Sequence, residues 1–183
     1  CLINPTLIDA RTEITTEMLS DSGYSVRKQI EGEEVDETFY GKDFEKKFFN
    51  SETNIAICKS LLDNGLRDPI SGEFGKTLIF AVSQKHATKI VQILNQLAHS
   101  LYPEKYNSDF AVQVTSQVND AQNKTTLFSE NTLNGKTKWL DGYDSSKTRI
   151  CVTVGMMTTG YDCPDILNVA LMRPVFSPAD FVQ

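Results

Sequence analysis

From Lys76 onward the chain alternates short, unbroken apolar runs with longer stretches whose apolar residues recur every three or four positions. Thr77 to Val82 is a continuous run of the kind found in a strand buried on both faces. Ser83 then stands where a helix N-cap belongs. Ala87, Ile90, Val91, Leu94, Leu97, Ala98 and Leu101 mark one face of a helix reaching about Tyr102, with Pro103 as a stop. Phe110 to Val114 reads as a second strand, and a helix follows over about Asn123 to Leu133. Trp139 and Leu140 fall in a moderately polar connector. Thr148 to Val154 and Leu167 to Met172 read as the third and fourth strands, and Ser177 with Pro178 opens a last helix. Strands and helices in alternation predict an α/β fold, a parallel sheet with helices on both faces.

Upstream of Lys76 the pattern is weaker. Leu7 to Ile14 is β-prone, Asp21-Ser22-Gly23 is a turn, and the acidic run Glu31 to Glu37 reads as a solvated linker or hairpin tip. Asn50 or Ser51 can cap a helix running to about Asn64, with Ile55, Cys58, Leu61 and Leu62 as its apolar face and Gly65 as its stop. Residues 67–75 form a loop rich in turn formers. The expected organisation is an irregular and helical connector over residues 1–75, then an α/β domain over 76–183.

A length of 183 residues fits one domain with an appendage. The chain starts at Cys1 and stops just after an apolar Phe181-Val182, so both ends read as cuts in a longer protein. No signal peptide and no membrane-spanning run is visible. The four cysteines are widely spaced, and Cys58 and Cys151 read as buried free thiols, in keeping with a reducing cytoplasm. The net charge of −6 is uneven: residues 1–75 hold 15 acids against 8 bases, residues 76–183 hold 9 against 10. The second part can grip a phosphate backbone locally but cannot attract one from afar.

Gly75-Lys76-Thr77 resembles the end of a phosphate-binding P-loop. However, Ile70 stands where the pattern needs a glycine, and a strand follows where a helix should. Better candidates lie at the carboxyl ends of the strands, where open α/β sheets bind ligands. Ser83, Thr115 with Ser116, Thr153, and the loop Thr158-Thr159-Gly160-Tyr161-Asp162 collect there. Hydroxyls and free amides at helix starts suit phosphate oxygens and read no base. The alternative for Ser83 and Thr115 is that they only cap helices. Gly160 permits close approach of a ligand, and Asp162 can accept ribose hydroxyls; the alternative is a turn that merely reverses the chain. His86 and His99 stand alone, with His99 expected at the surface. No His, Cys, Asp or Glu grouping has metal-ligand spacing, and no nucleophile elbow occurs.

Three stretches carry a resemblance. Lys76 to Ala87 resembles helicase motif IV, Val152 to Asp165 resembles motif V, and Leu171 to Gln183 resembles the lead-in to motif VI of the superfamily 2 helicases and translocases. Together with Ile8-Asp9-Ala10-Arg11-Thr12-Glu13 and Phe39-Tyr40-Gly41-Lys42-Asp43-Phe44, they resemble the motor (R) subunit of type I restriction enzymes. The resemblance implies that residues 76–183 are the second RecA-like (P-loop NTPase-type) helicase domain, truncated at the start of motif VI. It implies a motor that hydrolyses ATP with Mg2+, bound mainly by a first RecA-like domain outside this chain. It also implies double-stranded DNA and methylation and specificity subunits as partners, in the cytoplasm. Gly160 and Asp162 would touch nucleotide; Ser83, Thr153 and Thr159 would touch the DNA backbone or couple it to ATP, and Thr115 joins them from its place at a strand end. The motif VI arginines would lie beyond Gln183, so no catalytic residue is expected here and the chain alone should hydrolyse no ATP. Two other readings fit: a repair- or remodelling-type superfamily 2 translocase, and a non-catalytic α/β interaction module.

Overall fold

The computed structural model describes Thr6 and residues 51–157 and 161–173. The chain divides into two units, Cys1–Thr53 and Asn54–Gln183, and the description below concerns the second. The last helix expected at Ser177 lies outside the described residues.

Helix α1 (Ser51–Asn64) leads to strand β1 (Lys76–Ala81), helix α2 (Gln84–Leu101), strand β2 (Ala111–Gln113) and helix α3 (Ala121–Ser129). A hairpin, β3 (Lys136–Leu140) and β4 (Tyr143–Ser146), comes next, then β5 (Ile150–Thr153) and β6 (Ile166–Met172). Four strands form one sheet in the order β2-β5-β1-β6, every neighbouring pair parallel. The α/β reading of the sequence is thus borne out, with each of its four strands present.

All six residues of β1 are buried, as its unbroken apolar run predicts for a central strand. Successive side chains point to opposite faces. Ile79 and Ala81 pack with Ala87, Ile90, Leu94 and Ala98 of α2 and with Cys58 and Leu62 of α1. Leu78 and Phe80 face the other way, into a cluster with Phe128 of α3, Cys151, Met157 and Cys163. Helices therefore cover both faces. Each fully buried Leu, Ile or Phe stabilises the fold by roughly 1.5–3 kcal/mol.

The helices stop and start where their termini dictate. The Ser83 hydroxyl accepts the His86 amide at 3.2 Å and caps α2. The Gly65 amide closes α1 on the Leu61 carbonyl at 2.8 Å. A Cβ at Gly65 would lie 2.6 Å from the Phe74 ring, so only glycine fits.

Where the sequence pattern predicts a connector around Trp139 and Leu140, the chain forms the β3–β4 hairpin. Leu140 pairs with Tyr143 across the two-residue loop Asp141-Gly142, with Gly142 at φ 87°. Asp-Gly is a hairpin-turn signature, and here glycine takes the positive φ of the second loop position without strain. The hairpin is anchored at its base. Arg149, 1% exposed, donates to the Phe74 carbonyl at 2.6 Å and the Ser146 carbonyl at 3.0 Å. It lies 3.9 Å from the Asp68 carboxylate, which also accepts the Tyr143 hydroxyl. Burial would raise the Asp68 pKa. Hydrogen bonds from Tyr143 and the Ser71 and Ile70 amides, with the Arg149 charge, outweigh it and hold the group below the usual carboxylate range.

Candidate functional site

Parallel pairing brings several strand ends to one edge. Phe80 of β1 is level with Thr153 of β5, and Gln113 of β2 with Val152 of β5. Just beyond lies an open cleft of about 320 Å³, lined by Gln84, Thr115, Ser116, Val154, Gly155 and Met156. Ser83, the cap of α2, adjoins Gln84. No lining residue is charged. Arg173, directly after β6, stands beside the cleft, 5.5 Å over the Phe80 ring and 3.5 Å from the Val154 carbonyl. Sequence reasoning did not single out Arg173, since only the parallel register of β6 against β1 brings it to this edge.

The hydroxyls differ in what they can reach. Ser83 is half-buried and Ser116 exposed. Thr115 is 1% exposed, and its hydroxyl accepts the Gln113 amide at 3.1 Å. Thr153 is wholly buried; its hydroxyl accepts the Met156 amide at 3.1 Å and donates to the Met156 carbonyl at 3.0 Å. Thr153 therefore folds the start of the loop back onto the strand end. Met157, next in line, is buried at φ 60°, a left-handed conformation rare for a non-glycine residue and found often at functional loops.

The β5-to-β6 connection carries no helix or strand among its described residues. Met157 and Cys163 lie on the α3 face of the sheet, and the Tyr161 hydroxyl donates to the Thr125 carbonyl of α3 at 3.1 Å. The connection ends at the opposite, amino edge. There Lys76, 1% exposed, holds the Asp165 carboxylate at 2.8 and 3.0 Å, the Phe128 carbonyl at 2.6 Å, Asn131 at 2.9 Å and the Cys163 sulfur at 3.3 Å. Burial would raise the Asp165 pKa, but hydrogen bonds from Lys76 and Cys163 and the Lys76 charge pull it below the usual range. Lys76 is thus a buried structural cation, as the rejection of a P-loop requires. Gly75 before it is there for close packing, since a Cβ would meet the Leu66 carbonyl at 2.6 Å.

Asp162 is exposed and makes no hydrogen bond or ion pair with the described residues. It precedes Cys163, which sits against the amino end of β1, about 17 Å from the Ala81 end at roughly 3.3 Å per residue. The structure therefore brings together Ser83, Thr115 and Thr153, and sets Asp162 apart from them. Thr159 and Gly160 lie outside the described residues.

The remaining candidates are structural. His86 is buried, its Nδ1 accepting the Val82 amide at 3.2 Å and its Nε2 paired with Asn54 at 3.2 Å; His99 is exposed as expected. Cys58, Cys151 and Cys163 are free and buried, and burial pushes the Cys58 thiol up to about 12. Among the described residues no group of His, Cys, Asp or Glu could hold a metal, and no helix is long and apolar enough to cross a membrane.

No family model matches the chain. In sequence it is 28% identical over 163 residues to the type I restriction enzyme EcoKI endonuclease subunit of Escherichia coli (strain K12), covering 88% of this chain and 12% of that protein. In structure it is similar to a fragment described as an HsdR subunit of a type I restriction enzyme from Vibrio vulnificus YJ016. That match has a TM-score of 0.54 and 29% identity, over 79% of this chain and 25% of the other. The chain thus spans a small part of each relative. Both are type I restriction subunits, the kind of protein that the sequence motifs resemble.

Proposed function

We propose that this chain is part of the ATP-dependent DNA-translocating motor of a type I restriction endonuclease R subunit, coupling ATP hydrolysis to movement along duplex DNA before cleavage. The observation that carries the reading is that separate comparisons of sequence and of structure return the same kind of subunit. In this reading residues 76–183 are the second RecA-like domain and residues 1–75 its connector.

The carboxyl-edge cleft is the DNA-backbone surface. Ser83, Gln84 and Ser116 offer neutral donors, Arg173 supplies charge, and Thr115 and Thr153 hold floor and loop in place. Thr159 adjoins this loop in sequence and takes the same role. Asp162, exposed and free of partners among the described residues, fits the acceptor that a ribose hydroxyl needs, with Gly160 two positions before it in the sequence. ATP and Mg2+ supply the driving phosphoryl chemistry and are bound mainly by a first RecA-like domain. Methylation and specificity subunits complete the complex, in the cytoplasm, and the chain by itself is inactive.

The test uses the longer protein with its partner subunits. Asp162→Ala raises the KM for ATP or lowers turnover without unfolding the domain, because the side chain is exposed. DNA-stimulated ATPase indistinguishable from the parent would remove Asp162 from the site. An open reading frame without Gly-Lys-Thr and Asp-Glu-x-His motifs upstream, and without Gly-Arg-x-x-Arg after Gln183, would defeat the motor reading in favour of an interaction module.

A further inference from the structure

One side chain contacts two walls of the carboxyl-edge cleft. The Gln113 amide nitrogen donates to the Thr115 hydroxyl at 3.1 Å and lies 3.2 Å from the Gln84 side-chain oxygen. The same nitrogen is 3.4 Å from the Gln84 main-chain carbonyl, which can only accept. Three oxygens thus share the two N–H groups of Gln113, and together they set its nitrogen end toward the cleft. The other end, its oxygen, lies 2.8 Å from the Thr88 hydroxyl, whose one proton also has the Gln84 carbonyl within reach at 3.0 Å. Because Gln113 presents a donor, the atom of Gln84 facing it must be the oxygen. The two N–H groups of the planar Gln84 amide are then directed away from Gln113, at a residue that lines the cleft.

We infer that Gln113 is a positioning residue that sets the donor polarity of this cleft, and that Gln84 is a phosphate-contacting residue held by it. The ligand class is an anionic oxygen with no donor of its own, which is what a phosphodiester backbone presents. The inference rests on the proposed function and names a further part of the same surface.

The experiment uses the longer protein with its partner subunits and duplex DNA lacking a recognition site. It reads the DNA concentration giving half-maximal ATPase stimulation. Gln113→Leu and Gln84→Ala should each raise it about fivefold, the worth of one hydrogen bond. The double variant should raise it no further than either single one, because both remove the same contact. Gln113→Glu keeps the shape but turns the donor into an acceptor and adds a negative charge, so Gln84 must reverse its amide and the phosphate backbone is also repelled. It should be worse than Gln113→Leu, and the excess should shrink when Gln84 is already alanine. Charge repulsion alone predicts the same excess of glutamate over leucine whether residue 84 is glutamine or alanine, and an undiminished excess would overturn the inference. So would a double variant whose effect is the product of the singles, or a shift with Gln84→Ala and none with Gln113→Leu. If Ser83→Ala, Gln84→Ala and Ser116→Ala all leave the DNA concentration unmoved, the cleft is not the DNA surface and the functional assignment of this edge falls too.

Discussion

Replacing either partner of the Lys76–Asp165 pair should destabilise the protein unequally, and the order can be worked out from burial. Lys76 is 1% exposed at its side chain and Asp165 37%. Removing one partner of a buried pair typically costs about 3–5 kcal/mol, because the other charge is left uncompensated. Asp165→Asn strands a buried ammonium, but the Phe128 carbonyl and Asn131 still accept from it, and water screens part of the lost attraction. We expect a loss of about 2–3 kcal/mol. Lys76→Met leaves a carboxylate that can turn to solvent and an apolar chain that still packs on the Phe128 ring, 4.5 Å from the ammonium it replaces. Its cost should be nearer 1–2 kcal/mol, mainly the unmet Phe128 carbonyl. For a chain of this size each kcal/mol moves Tm by about 2–4 °C, so the two variants differ by several degrees. Denaturant melts, with equal m-values as a check on the folded reference, measure the difference. A Lys76→Met variant less stable than Asp165→Asn would refute the reasoning. It would mean that contacts to the carbonyl and amide, not the trapped charge, dominate.

The pH dependence of stability follows from the same groups. Asp68 and Asp165 are more acidic in the folded protein than unfolded, so their contribution is full above the ordinary carboxylate pKa and is lost as pH falls through the lowered folded values. A melt series from pH 7 to pH 2 should be flat in Tm to about pH 4 and then fall, less steeply in the Asp68→Asn, Asp165→Asn double variant. Gly65→Ala drives a methyl into the Phe74 ring and should cost about 1–3 kcal/mol in a denaturant titration; a neutral substitution would contradict the packing. Ser83→Ala removes the cap of α2 and should cost about 1 kcal/mol by the same assay. Cys58 and Cys151 should react with a thiol reagent at pH 8 only at the unfolding rate; fast labelling of either in native protein would contradict their burial.

The central sheet was legible because an unbroken apolar run such as Thr77 to Val82 has few alternatives to a doubly covered strand. Ser83 was legible as a cap because capping is local. The hairpin was missed although Asp141-Gly142 signals it, since Lys136 to Ser146 is too polar for its strands to show a buried face. Long-range partners left no trace in the sequence. Nothing local says that Lys76 will meet Asp165, that the Thr153 hydroxyl will close on Met156, or that Asp162 will lie near the far edge from Ser83. Those facts belong to the strand order and to a crossover with no helix among its described residues.

That crossover limits how far the cleft can open. Its start is fixed by Thr153 on Met156 and its end by Lys76 on Cys163 and Asp165. The seven peptide steps from Met156 to Cys163 reach at most about 24 Å. The four strand steps from Phe80 to Lys76 already take up roughly 13 Å. The slack is on the order of 10 Å, before any is taken up in rising over the sheet. Val154–Met156 also stay within three peptide steps, about 10 Å, of Thr153 in β5. The strand and the lysine at the other edge together limit the wall, and the ion pair holds one end of a tether as well as stabilising a fold.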